Sequence, residues 1–179
     1  MAVIVLDRDG VINFDSDQYI KTVDEWRAIP GAIAAIAALS KAGHDIYVAT
    51  NQSGIGRGFY SVETLNAMHD KMLQLLSQEG GELKGIYYCP HHPDDNCQCR
   101  KPLPGMLEAM QQEHQVDFTD SWFVGDSLRD LQSGLSKGCK PALVRTGKGE
   151  ATLAKGLPAE LEHTLVFEDL ADFAKHLLK

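Results

Sequence analysis

The sequence predicts a doubly wound α/β fold, one parallel sheet with helices on both faces, from three observations. Six short apolar runs alternate with stretches of helical spacing, the pattern that produces parallel strands joined by right-handed crossovers. Three of the runs end abruptly in polar clusters. And once the alternating elements are assigned, no block of sequence is left for a large cap domain, so residues 1–179 are expected to form a single domain.

In chain order, the first strand is expected at 3–6, followed by a helix on which Ile33, Ile36 and Leu39 recur at three-residue spacing before Gly43 stops it. A second strand at 46–49 leads to a helix whose one face carries Leu65, Met68, Met72, Leu75 and Leu76, with Ser61 placed to cap it. Strands at 86–88, 122–124, 142–144 and 165–167 follow, with helices at 106–114 and 128–137. Gly138 ends the latter, and Asp169 is placed to cap a final helix running to Leu178. The segments 11–30, 52–60 and 89–101 read as loops that shape an entrance.

Bulk composition excludes several classes. Apolar residues make up 44% and charged residues 23%, which is ordinary for a globular chain. A formal charge of −8 leaves no basic footprint for nucleic acid. No apolar run approaches the roughly 20 residues of a membrane span, and no basic region precedes the first strand in the manner of a secretory signal. A reducing cytoplasm is therefore the expected compartment, with the four cysteines as thiols or metal ligands. No sustained heptad demands an oligomer, so a monomer is expected.

In a doubly wound sheet, ligands bind outside the C-terminal strand ends. The clusters there are Asp7-Arg8-Asp9-Gly10, Thr50-Asn51-Gln52-Ser53 and Gly125-Asp126. Asp7 and Asp9, two apart, point to one side if the chain stays extended. Their mutual repulsion calls for a cation. Asp126 supplies a third carboxylate, with Asp130 one helical turn on. A few hard oxygen ligands with room for water and phosphate describe a Mg²⁺ site. Any one of these acids alone reads as a turn or helix cap; three at strand ends do not. Thr50, Asn51 and the loop containing Gly54, Gly56 and Gly58 offer neutral donors to phosphate oxygens. Lys101 offers a cation for charge developing on a transferring phosphoryl group.

A second cluster, Cys89-Pro90-His91-His92 followed by Cys97-Gln98-Cys99, combines three thiols with a histidine at the spacing of a closed, structural Zn²⁺ site. Either histidine can serve as the fourth ligand on spacing alone. Cys139 lies outside this group and reads as a buried thiol.

The order Asp-x-Asp-Gly, Thr-Asn-Gln, Lys-Pro and Gly-Asp-x-x-x-Asp resembles the haloacid dehalogenase superfamily of phosphatases, from Val3 to about Val144. The resemblance implies that Asp7 is the nucleophile, forming an aspartyl-phosphate, and that Asp9 is the acid that protonates the leaving oxygen and then activates water. It implies Mg²⁺ held by Asp7, the backbone carbonyl of Asp9 and Asp126, Asp9 being free to keep a proton because its side chain is off the metal. Thr50 would bind the phosphoryl group and Lys101 would orient Asp7. For zinc it implies His91 with Cys89, Cys97 and Cys99.

Within the superfamily, Cys-Pro-His-His-Pro through Cys-x-Cys-Arg-Lys-Pro, with Thr-Asn-Gln-Ser-Gly-Ile-Gly-Arg-Gly, looks like the heptose 1,7-bisphosphate 7-phosphatases. That implies a small phosphorylated sugar as substrate, with Asp15, Asn51, Gln52, Ser53, Arg57 and Arg100 as substrate contacts. Arg100 is the first candidate for the distal phosphate. The histidinol-phosphate phosphatases share the zinc loop and are the alternative. A non-catalytic zinc-stabilised binding protein has no use for the paired Asp7 and Asp9, and a polynucleotide 3′-phosphatase conflicts with the acidic charge.

Overall fold

The computed structural model describes all of residues 1–179. Six strands, β1 (Val3–Leu6), β2 (Asp45–Asn51), β3 (Gly85–Cys89), β4 (Trp122–Gly125), β5 (Lys140–Val144) and β6 (Leu165–Phe167), form one sheet. Their order is β3-β2-β1-β4-β5-β6, and every pairing is parallel. The connections carry helices α1 (Ala32–Lys41), α2 (Ser53–Gly56), α3 (Val62–Gln78), α4 (Gly105–His114), α5 (Leu128–Leu135), α6 (Gly149–Lys155) and α7 (Leu170–Leu177). No helix is long and apolar enough to cross a membrane.

The strands are apolar on both sides because the sheet is covered on both sides. In β1, Ile4 and Leu6 join the larger core with α1, α3 and α7, while Val5 between them faces a second core built on α4. On α3 the buried stripe Leu65, Met68, Met72 and Leu76 follows the helical period. The predicted caps form: Ser61 Oγ accepts from Thr64 N at 3.1 Å and the Asp169 carboxylate from Asp172 N at 2.8 Å.

Three boundaries differ from the sequence reading. β2 runs on through Thr50 and Asn51, which pair with Tyr88 and Cys89; polar side chains disguise backbone that is still in the ladder. Residues 53–56 turn helically inside a segment read as loop. And α6 is unannounced because a seven-residue helix with one buried position carries almost no periodic signal.

The chain proceeds outward from β1 to β3 on one side, then returns to β4 on the other, so the strand order reverses between β1 and β4. Leu6 stands level with Val48 on β2 and Val124 on β4. All three strands therefore deliver their next residues to one place.

Candidate active site

Asp7 follows β1 and Asp126 follows β4, on either side of the reversal. Asp7, Asp126 and Asp130 each bring an oxygen within 4.8 Å of the others. One buried cation, Lys101, stands among them, with Nζ 2.8 Å from Asp7 Oδ1 and 2.7 Å from Asp130 Oδ1. Burial, then the charge of Asp130, pushes the Asp7 carboxyl up to about 7 against the pull of Lys101. Burial, then Asp130 and Asp7, lifts Asp126 to about 9. Three crowded carboxyls with one ammonium are short of positive charge.

Asp130 is already fully engaged. Besides Lys101 it accepts from Asp126 N, Ser127 N and Ser127 Oγ at 2.9–3.1 Å. The Asp7 Oδ1 atom accepts from Lys101 and from Arg8 N, and Asp126 Oδ2 from Lys148 N. The oxygens left without a hydrogen bond are Asp7 Oδ2 and Asp126 Oδ1. Two free hard oxygens on adjacent strand ends, in a cluster lacking positive charge, fit a divalent cation such as Mg²⁺.

Two glycines make this approach possible. A β-carbon on Gly10 would lie 2.0 Å from Asp126 Oδ2, and one on Gly147 would lie 2.2 Å from the same atom. Both have positive φ, 85° and 58°. Asp126 sits in a slot that only glycine backbone leaves open.

Asp9 departs from expectation. Its side chain is not in the carboxylate cluster, but neither is it poised as a protonated acid. Oδ1 accepts from Arg8 Nε and Nη2 and from Asn13 Nδ2, and Oδ2 accepts from Gln52 Nε2 at 2.9 Å. Burial alone would raise this carboxyl, yet the Arg8 charge and these hydrogen bonds prevail and hold it below the ordinary value. Arg8, fully buried, lies with Nη1 3.2 Å from His69 Nε2. Burial and Arg8 push His69 down to about 3, so the ring stays neutral and accepts from the guanidinium.

The residues expected to touch substrate divide into two groups. Asn51 clasps the Lys101 backbone, accepting from Lys101 N at 3.0 Å and donating to Lys101 O at 3.2 Å. Gln52 donates to Thr50 Oγ1 as well as Asp9, and its carbonyl accepts from Tyr60 Oη at 2.5 Å. These two amides brace the framework of the site and also line its cavity. Thr50 lies buried beneath it, its hydroxyl proton uncommitted because its oxygen accepts. Asp15, Ser53, Arg57 and Arg100 line a cavity of about 340 Å³ above Asp7 and Lys101.

Two basic residues of the cavity were not singled out from sequence, Arg129 and Lys148. Lys148 Nζ lies 3.5 Å from Asp15 Oδ2. Arg129 stands beside Asp130 in the fourth motif, a signal that was available. None of Arg57, Arg100 and Arg129 forms an ion pair, and Arg100 Nη1 is buried with no hydrogen-bond partner. Burial, then Arg129, lowers the Arg100 pKa, with a smaller push from Arg57.

The cysteine loop folds against the same rim. Cys89, His91, Cys97 and Cys99 bring their ligand atoms within 4.8 Å of one another. Cys89 Sγ lies 3.5 Å from His91 Nδ1 and 3.6 Å from Cys97 Sγ, and His91 Nδ1 lies 3.2 Å from Cys99 Sγ. A tetrahedron with Zn–S near 2.3 Å and Zn–N near 2.0 Å has edges of roughly 3.5–3.8 Å, so the set fits zinc. A disulfide would need sulfurs at about 2.05 Å. His92 faces elsewhere, its Nδ1 accepting from Asp94 N at 3.2 Å, which decides between the two histidines. A β-carbon on Gly56 would strike the backbone of His92 at 2.5 Å, so the loop after β2 rests directly on the cysteine loop. Cys139 is buried apart from the cluster, as expected.

Comparison with known proteins agrees with this geometry. The HAD-hydrolase-like family model matches residues 98–173. A Pseudomonas putida D-glycero-beta-D-manno-heptose-1,7-bisphosphate 7-phosphatase is 56% identical over 178 residues, 99% of this chain and 100% of that protein. The structure of a D,D-heptose 1,7-bisphosphate phosphatase from B. bronchiseptica, complexed with magnesium and phosphate, superposes with a TM-score of 0.94. It is 53% identical and covers 99% of this chain and 98% of that one. The corresponding phosphatase from Burkholderia thailandensis gives a TM-score of 0.77 at 43% identity, covering 100% and 99% of the two chains.

Proposed function

The chain belongs to the D-glycero-D-manno-heptose-1,7-bisphosphate 7-phosphatase family of HAD-like hydrolases, and from that premise we propose that it removes the 7-phosphate of the β-anomer of that sugar. The observation that carries the substrate assignment is the set of three guanidiniums without ion-pair partners, Arg57, Arg100 and Arg129, in the cavity above Asp7. A bisphosphate brings a second anion to meet them, and a guanidinium fork matches it. Histidinol phosphate would instead bring a cationic amine towards the same three positive groups.

Asp7 attacks phosphorus through its carboxylate, which Lys101 and Arg8 N hold in place by their hydrogen bonds to Oδ1. Asp7, the Asp9 carbonyl and Asp126 would hold Mg²⁺, whose chemistry when bound is to draw negative charge from the phosphoryl oxygens and keep Asp7 ionised. Thr50 directs its free hydroxyl proton, and Lys101 its charge, to the phosphoryl group. Asp9 gives its proton to the departing sugar oxygen and takes one from the water that cleaves the aspartyl-phosphate. As paired with Arg8 and Gln52, Asp9 is in its base form; the acid half requires its carboxylate to turn from Arg8 into the cavity.

The test is kcat/KM for the α- and β-heptose bisphosphates against histidinol phosphate. The β-bisphosphate is expected to be preferred over histidinol phosphate by at least ~10-fold, roughly one charge-assisted contact, and faster turnover of the α-bisphosphate would overturn the anomer. Arg100→Ala is expected to weaken turnover of the bisphosphate more than that of a monophosphate. Preference for histidinol phosphate would overturn the substrate while sparing the chemistry, and equal losses would remove Arg100 from the distal phosphate.

Zinc on Cys89, His91, Cys97 and Cys99, with no open position, would brace the loop that carries Arg100 and Lys101. The purified chain is expected to hold about one zinc, and Cys97→Ser to lower Tm by roughly 5–10 °C. Elemental analysis and thermal unfolding check this; a metal-free chain of unchanged Tm would refute it.

A further inference from the structure

The buried residues of α3 are the apolar Leu65, Met68, Met72 and Leu76, and one polar residue, His69. His69 stands one helical turn beyond Leu65, on the same stripe, where an aliphatic side chain would pack as well. A polar ring in that place needs a partner. It has one in Arg8 Nη1, 3.2 Å from Nε2.

The use of this contact shows in what Asp9 leaves behind when it turns into the cavity. Three side chains donate to its carboxylate: Asn13 Nδ2 at 2.8 Å, Gln52 Nε2 at 2.9 Å, and Arg8 through Nε at 3.2 Å and Nη2 at 2.9 Å. Each has a further acceptor of its own. Asn13 Nδ2 also reaches Phe14 O at 3.0 Å, and Gln52 Nε2 also reaches Thr50 Oγ1 at 2.9 Å. For Arg8 that acceptor is His69, since the sulfur of Met68, 3.9 Å from Nη1, accepts only weakly. The two amides are neutral. Arg8 is charged and fully buried, and a buried charge stripped of its acceptors is costly. With His69 in place the guanidinium keeps a strong acceptor after Asp9 departs. Without it, the same charge would pin Asp9 where it stands.

Resting on the role of Asp9 as acid in the proposed reaction, we propose that His69 is a positioning residue: it anchors Arg8 and so frees Asp9 to turn towards the departing sugar oxygen. As the bond from phosphorus to that oxygen breaks and the bond from Asp7 forms, the proton of Asp9 passes to the departing oxygen. His69 touches none of the reacting groups. It acts on them through Arg8, from behind the site.

Two amides separate the anchor from the packing of the ring. Glutamine places a carbonyl oxygen about where Nε2 stands, and asparagine, one carbon shorter, does not reach Arg8. Acetyl phosphate supplies the second contrast, because acetate departs without needing a proton, and kcat/KM reports only the steps up to that departure. His69→Asn is expected to lower kcat/KM for the heptose bisphosphate by about 10- to 100-fold and to leave acetyl phosphate within about 3-fold, which also shows that the variant is folded. His69→Gln is expected within about 3-fold of wild type on both. If His69→Asn yields no folded protein, His69→Leu, which suits the apolar stripe, makes the same comparison. Undiminished bisphosphate turnover without the acceptor, an equal loss on acetyl phosphate, or a glutamine variant as impaired as the asparagine one would overturn the anchor. Asp9→Asn in the otherwise unaltered protein tests the premise separately: undiminished bisphosphate turnover there would overturn the acid itself.

Discussion

Asp7→Asn is expected to fold normally and to lose turnover by a factor on the order of 10⁴ or more, the scale at which removal of a covalent nucleophile acts. An amide has the shape of the carboxylate but no anionic oxygen to offer phosphorus. The fold should not suffer. Burial and Asp130 already push the Asp7 carboxyl up to about 7. A group whose pKa is raised on folding destabilises the folded state above its unfolded value when charged. In the metal-free protein near neutral pH, a neutral residue there should hold or raise Tm. Lys101 keeps its partner in Asp130 at 2.7 Å. Steady-state kinetics with thermal unfolding tests both halves; unimpaired turnover would remove Asp7 from the mechanism.

Lys101→Met should damage both activity and stability. Lys101 is 2% exposed and is the single cation reaching Asp7 and Asp130. Burial would lower its pKa, but Asp130 and then Asp7 prevail and raise it, so it is charged in the folded protein. Methionine fills the space and leaves two buried carboxylates uncompensated, a loss of about 3–5 kcal/mol by analogy with broken buried pairs. kcat should fall by roughly 10³-fold, since the residue both orients the nucleophile and faces the phosphoryl charge. Adding Asp130→Asn should recover much of the stability and none of the activity. Denaturant unfolding of the single and double variants checks the first point, and recovery of kcat in the double variant would contradict the second.

The residues that reach the site through the main chain were legible because strand ends have fixed addresses. Asp7 and Asp126 follow apolar runs, and parallel pairing at the reversal of strand order leaves them nowhere else to be. The cysteine loop was legible for a similar reason, since ligand types at short spacing imply closure. His91 against His92 was open on spacing and is decided by where each ring points.

Side chains that meet across the fold were not legible. Arg8 lies between two motif aspartates, and nothing local says that its guanidinium turns inward to Asp9 and His69, 61 residues away in sequence. Asn51 and Gln52 look like ligand donors as letters in a loop. In space, the Lys101 backbone and the Tyr60 hydroxyl have already engaged them.

By itself, then, the order of residues determined the sheet, the place of the acids on it and the thiol cluster beside it. Each of these follows from periodicity and from covalent spacing, which a chain carries with it unfolded. The tertiary structure decided the pairing of every charge: Asp9 with Arg8, Lys101 between Asp7 and Asp130, and three arginines with no ion-pair partner. Electrostatic pairing depends on distances of a few ångströms between segments far apart in the chain, and those distances exist only once the strands have packed.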